Sequence, residues 1–138
     1  DGLQAAVRAA MQPGDLVAFL GAGPDITKVA HQLAAQLRDE GHAEGADLRA
    51  HDPAAGQNAR RILTDLVVVA TAEGALRGAD AAVIATEWPT YRDLDWAALR
   101  ATMRRPLIID GRRLLPHAQL RSLGYAVERI GDGVDGVE

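Results

Sequence analysis

Short, uninterrupted apolar runs recur along this chain, each followed by residues whose apolar positions fall three and four apart. Leu16-Val17-Ala18-Phe19-Leu20, Leu66-Val67-Val68-Val69, Ala81 to Ala85 and Leu107-Ile108-Ile109 are too uniformly apolar for strands with one wet face. Runs of this kind are strands of a parallel sheet covered on both faces. Between them, Ile26, Val29, Leu33 and Leu37 repeat with helical spacing behind Asp25, a capping residue. Asp52-Pro53 opens a second predicted helix, because proline is tolerated in a first turn and the preceding Asp supplies the capping oxygen.

Further helices are predicted over Leu3 to Met11, Glu73 to Arg77, Asp95 to Arg104 (with Ala98, Leu99 and Met103 facing inward) and Pro116 to Leu123, the last closed by Gly124. Strands at Asp47 to His51 and Tyr125 to Ile130 bring the predicted number to about six. Alternation of this sort, with right-handed crossovers, predicts a three-layer, doubly wound α/β sheet of order 3-2-1-4-5-6. A length of 138 residues suits one domain, expected over residues 1–131, with an aperiodic tail at 132–138 expected to fray.

Composition removes whole classes of function. There is no cysteine, hence no disulfide, no thiolate metal site and no thiol nucleophile in these residues. A net charge of -4 gives no global positive field for nucleic acid. The opening DGLQAAVRAAMQPGD has no basic, apolar leader, and no apolar run reaches the roughly 18 residues of a spanning helix. The expectation is a soluble, cytoplasmic chain without a membrane partner; oligomeric state is not readable. His31, His42, His51 and His117 show no metal-ligand spacing, Ser122 has no nucleophile-elbow setting, and no P-loop is present.

In a doubly wound sheet, ligands sit outside the carboxyl ends of the strands, where the strand order reverses. Three segments are expected there. Gly21-Ala22-Gly23 allows a tight turn before a helix N-terminus, but Ile26 replaces the third glycine of a dinucleotide fingerprint and Asp25 sets a carboxylate where a pyrophosphate would lie. A strand-to-helix turn with an Asp cap is the favoured reading, and NAD is disfavoured. Asp52 stands where a ribose-binding acid would, or caps its helix. Asp110-Gly111-Arg112-Arg113 follows the fifth strand, where an arginine fork can meet phosphate oxygens and Asp110 can orient it or cap the turn. Thr86, Glu87 and Trp88 end the fourth strand; Thr86 can donate to a ligand, and Trp88 can shield it or pack.

Two resemblances arise from these motifs. The segments ADLRAHDPAAGQNAR, ALRGADAAVIATEWPTYRDLDWAALRATMRRPLIIDGRRLL and LGYAVERIG, within residues 45–131, resemble the C-terminal UDP-binding domain of UDP-glucose and GDP-mannose dehydrogenases. The DP, GAD, TEW and DGR motifs occur in that family's order. The resemblance implies a Rossmann-like domain that binds UDP or a UDP-sugar, with Arg112 as the family-matched contact beside Gly111 and Asp110 and with Thr86, Glu87 and Trp88 shaping the crevice; Gly21, Gly23 and Asp52, read from position alone, are weaker candidates. It also implies NAD-dependent oxidation of a sugar alcohol, by a cysteine nucleophile and a separate N-terminal cofactor domain. The family's basic loop after the first strand is absent, and Lys28 is not its equivalent.

Residues 7–37, VRAAMQPGDLVAFLGAGPDITKVAHQLAAQL, instead resemble the C-terminal domain of the Mur ligase that joins L-alanine to UDP-N-acetylmuramate. A junction near residues 39–47 leads to the expectation of a recombined or designed chain without catalysis of its own, retaining at most weak UDP binding. The alternative is a natural UDP-binding domain of a nucleotide-sugar dehydrogenase.

Overall fold

The computed structural model describes residues 2–12, 14–21, 32–33, 35–36, 47–52, 62–63, 66–86 and 88–129. Its strands are β1 (Leu16–Leu20), β2 (Asp47–His51), β3 (Ile62–Leu63), β4 (Leu66–Val68), β5 (Ala81–Ile84), β6 (Leu107–Asp110) and β7 (Ala126–Arg129). The helices are α1 (Gly2–Ala10), α2 (Ala72–Leu76), α3 (Pro89–Arg92), α4 (Trp96–Leu99) and α5 (His117–Ser122), and Gln32, Leu33, Ala35 and Gln36 are also helical. The sheet order is β3-β4-β2-β1-β5-β6-β7. Without β3 this is the expected 3-2-1-4-5-6, and every pairing among those six strands is parallel.

The uniform apolarity of the strands has a direct physical cause. Along β1, Val17 and Phe19 enter one core with Val7 of α1, Met11 just after it, Leu33, Leu48, Ala50, Val83 and Ile109. Leu16, Ala18 and Leu20 enter the other, with Ala75, Leu76, Tyr91, Trp96, Leu99, Ile108 and Leu120. Successive side chains leave a strand on opposite faces, so burial on both demands apolar residues at every position.

Three local expectations need correction. First, β3 was not foreseen: Ile62 pairs with Val67 and Leu63 with Leu66 in antiparallel register, and a two-residue strand is too short to carry a period. Second, the helix expected over 95–104 stops at Leu99. Its continuation tightens into turns, with the Ala101 amide donating to the Ala98 carbonyl and the Thr102 amide and hydroxyl both donating to the Leu99 carbonyl. A threonine hydroxyl competing for a helical carbonyl offers the backbone an exit from the helix. Leu99 and Met103 are buried as expected, but Ala98 is exposed. Third, α3 was not foreseen; Pro89 occupies its first turn, and the four residues deliver Tyr91 to the core. The helix expected from Pro53 and the tail at 132–138 lie outside the described residues.

At the amino edge of the sheet a polar clasp joins β1 to β5. Asp80, 4% exposed, accepts the Leu16 amide at 2.8 Å and both Nε and a terminal nitrogen of Arg104 at 2.6 Å. Burial pushes its carboxyl up, but the Arg104 bonds, the Leu16 amide and the charges of Arg104 and Arg105 hold it below the ordinary Asp range. Asp15 accepts the Gln12 amide at 2.8 Å, and Arg105 donates to the Ala10 carbonyl, tying α1 to the same edge.

Candidate functional site

At the carboxyl edge the strand order reverses between β1 and β5. β1 is followed there by Gly21, whose φ of +103° lies in the region that side chains avoid. A Cβ on Gly21 would stand 2.1 Å from Thr86 Oγ1 and 2.8 Å from Thr86 Cβ, so glycine is required sterically as well as conformationally. The Gly21 amide donates to the His51 carbonyl at 2.6 Å, and the Ala85 amide to the Leu20 carbonyl at 3.0 Å. Thr86 Oγ1 is buried there without a hydrogen-bond partner among the described residues.

Beside it, the loop after β6 is built around one carboxylate. Asp110 is fully buried. Its Oδ1 accepts the amides of Arg112 at 3.0 Å and Leu114 at 3.2 Å; its Oδ2 accepts the Leu115 amide at 2.9 Å and His117 Nε2 at 2.7 Å. Burial alone would raise this carboxyl, but the Leu115 amide, His117 and the Arg112 and Leu114 amides together hold it below the usual Asp range. Arg113 has a φ of 55° in the turn, and the Gly111 amide extends the ladder to the Ile84 carbonyl at 3.1 Å. Arg112 and Arg113 are both exposed. A loop of this kind can offer the positive charge of an arginine to an anion beside the strand-order reversal.

A third element was missed from sequence. Tyr91, fully buried, donates its hydroxyl to the His51 carbonyl at 2.9 Å and lies 3.1 Å from His51 Nδ1. A carbonyl carries no proton, so the phenol must supply the one in the first contact; its oxygen then accepts from Nδ1-H, which fixes the His51 tautomer. The rings meet edge to face at 5.8 Å. Burial lowers the pKa of His51 against the charges of Asp52 and Glu73, and burial with the Asp52 charge raises that of Tyr91. The available signal was the proline of W-P-T-Y, which marks a first helical turn and puts the tyrosine two residues into it.

Of the residues expected at the site, the structure places Gly21, Asp52, Thr86, Trp88, Asp110, Gly111 and Arg112 at the carboxyl ends of β1, β2, β5 and β6. Gly21 and Thr86 are in contact; Asp110, Gly111 and Arg112 share one loop; Asp52 is half-buried beside His51; Trp88 is 40% exposed at the start of α3. Gly23 and Glu87 lie outside the described residues, as do Asp25, Ile26 and Lys28. Among the described residues, no group of three or more His, Asp or Glu is placed to hold a metal, and no helix is long and apolar enough to cross a membrane.

The parallel sheet, its two covered faces and Gly21 at the strand-order reversal define a Rossmann-like α/β domain. A family profile described as the UDP binding domain of the UDP-glucose/GDP-mannose dehydrogenase family matches residues 24–117, and the chain belongs to that family. It is 37% identical over 93 residues to UDP-glucose 6-dehydrogenase of Pseudomonas aeruginosa, covering 63% of this chain and 20% of the relative. With UDP-glucose 6-dehydrogenase TuaD of Bacillus subtilis it shares 33% over 88 residues, 63% of this chain and 19% of that one. The chain thus spans about a fifth of the length of these relatives. A solved UDP-D-ManNAc dehydrogenase from Pyrococcus horikoshii superposes with a TM-score of 0.58 at 26% identity, over 94% of this chain and 29% of that one. Mycobacterium tuberculosis 3-hydroxyisobutyrate dehydrogenase, at 24% identity and a TM-score of 0.52 over 89% of this chain and 43% of its own, shares the fold.

These matches overturn the expectation of a recombined or designed chain and favour the alternative, a natural UDP-binding domain of the family. The family match runs unbroken from residue 24 through the supposed junction at 39–47. The resemblance of residues 7–37 to a ligase domain is not shown, and a strand, a turn and a helix are what any first unit of such a sheet requires, whatever its lineage.

Proposed function

We propose that this domain binds the UDP moiety of a nucleotide sugar, as the UDP-binding part of an enzyme that oxidises the sugar alcohol to a carboxylate with NAD. The observation that carries this reading is the Asp110-built loop inside the family-matched span, which sets Gly111 and Arg112 at the end of β6 beside the strand-order reversal. Arg112 supplies charge to the diphosphate, where an arginine fork can bind two oxygens at once. Thr86 and Trp88 line the neighbouring strand end, and Glu87, between them in sequence, is proposed with them.

NAD does not fit this edge equally well. Ile26 stands where a dinucleotide fingerprint has its third glycine, and Asp25 adds a carboxylate to the same segment. With no cysteine in the sequence, thiol chemistry on the sugar is proposed to come from outside these residues, as is the site for NAD. Residues 1–131 are proposed to act as one unit in this role.

Calorimetric titration with UDP, UDP-glucose and NAD tests the reading. UDP and UDP-glucose are expected to bind, and Arg112→Ala to weaken both by about 1 to 3 kcal/mol, the worth of a charge-assisted hydrogen bond. Absence of binding at millimolar UDP would sink the proposal. NAD binding that disappears in Asp52→Ala would favour a dinucleotide site instead.

A further inference from the structure

The Asp110 carboxylate holds four donors, and they differ in origin. Three are amides of the loop itself, from Arg112, Leu114 and Leu115. The fourth, His117 Nε2, comes from the first turn of α5, and its side chain is only 14% exposed. The two bonds to Oδ1 bracket Arg113, the residue with a positive φ. One oxygen therefore holds the unfavourable turn in shape, and the other is pinned by the imidazole and the Leu115 amide. A carboxylate pinned at Oδ2 cannot pivot, so Oδ1 stays where the two loop amides need it. As a carboxylate only accepts, Nε2 must carry a proton in either charge state of the ring.

From this arrangement we infer that His117 is a positioning residue for the phosphate-binding loop, acting through Asp110 on Arg112. The inference deepens the UDP reading and rests on it for its effect on affinity, but the clamp itself is measurable without ligand. Glutamine is the conservative replacement, since its amide nitrogen reaches the place of Nε2 and donates; leucine fills similar space and donates nothing.

The test has two arms. In ligand-free protein, hydrogen exchange at the Arg112, Leu114 and Leu115 amides is expected to quicken tenfold or more in His117→Leu and by less than threefold in His117→Gln, with β1 amides unchanged as the control for folding. In titration, His117→Leu is expected to weaken UDP at least fivefold and His117→Gln less than twofold. In an Arg112→Ala background the leucine variant should then cost less than twofold more, because both changes remove one contribution. A merely structural histidine would lower stability in both backgrounds without that coupling. Unchanged exchange at the three amides, or a leucine effect that adds in full to Arg112→Ala, overturns the inference. Exchange as expected in a protein that binds no UDP would support the clamp and remove the UDP reading alone.

Discussion

Arg113 is where a single residue's backbone carries a cost. At a φ of 55° an L-residue is disfavoured by roughly 1–2 kcal/mol, a penalty that glycine escapes while adding about 0.5–1 kcal/mol of unfolded-chain entropy. Arg113→Gly is therefore expected to change stability by less than about 1 kcal/mol, while the β-branched Arg113→Val loses about 2 kcal/mol in urea unfolding; equal effects of the two would show that the turn carries no strain. The tyrosines give a pH signature. Burial, aided by Asp95 and opposed by Arg100, pushes Tyr125 up to about 12, and Tyr91 is raised as well. A phenol with a raised folded pKa keeps its proton after the unfolded chain has lost its own. Its stabilisation is complete below about pH 10 and declines from there towards pH 12. Only two tyrosines and the single Lys28 have ordinary values between about 10 and 10.4, so the denaturation midpoint should fall across that window, and less steeply in Tyr125→Phe. A slope unchanged by the substitution would contradict this assignment. At this scale the sequence was legible in part. Asp110 and Gly111 could be placed from motif and position, but the partnership of His51 with Tyr91 could not, because forty residues separate them and only the fold brings them together.

Among the elements, legibility follows length and burial. The runs of β1 and β5, and β6 up to Asp110, could be read almost residue for residue because double-sided burial keeps their positions apolar. The four-residue α3 could not, since it has barely one turn in which to show a period, and β3 still less. The clasp between β1 and β5 also escaped the sequence, although Gly78-Ala79-Asp80 was recognisable as a motif. Asp80→Ala would leave the Leu16 amide without its acceptor and is expected to cost about 1–3 kcal/mol in urea unfolding. The exposed Arg104 should matter less, and an Arg104→Ala loss as large as that of Asp80→Ala would mean that the ion pair, not the buried amide bond, does the stabilising.

For the whole molecule, the strand order divides the sheet by origin. β5, β6 and β7 with α3, α4 and α5 come from one stretch, residues 81–129, whereas β1 reaches β5 only by closing a long loop: the Leu16 to Asp80 bond spans 64 residues. The fold could be read from sequence because parallel strands with crossovers admit few orders. The ligand edge was legible only as a position, since which side chains meet there depends on turns that no period encodes. Loop closure has to be met before distant contacts repay it, so the strand order also sets a sequence of events in time. The 81–129 stretch is expected to collapse first and β1 to dock onto it late. In stopped-flow experiments Ile108→Val should chiefly slow refolding, and Val17→Ala should chiefly hasten unfolding. The reverse pattern would place the nucleus on the β1 side. The middle strand of the finished sheet would then be among the last to arrive, and the crevice at its end would open for ligand only when the chain had nearly finished folding.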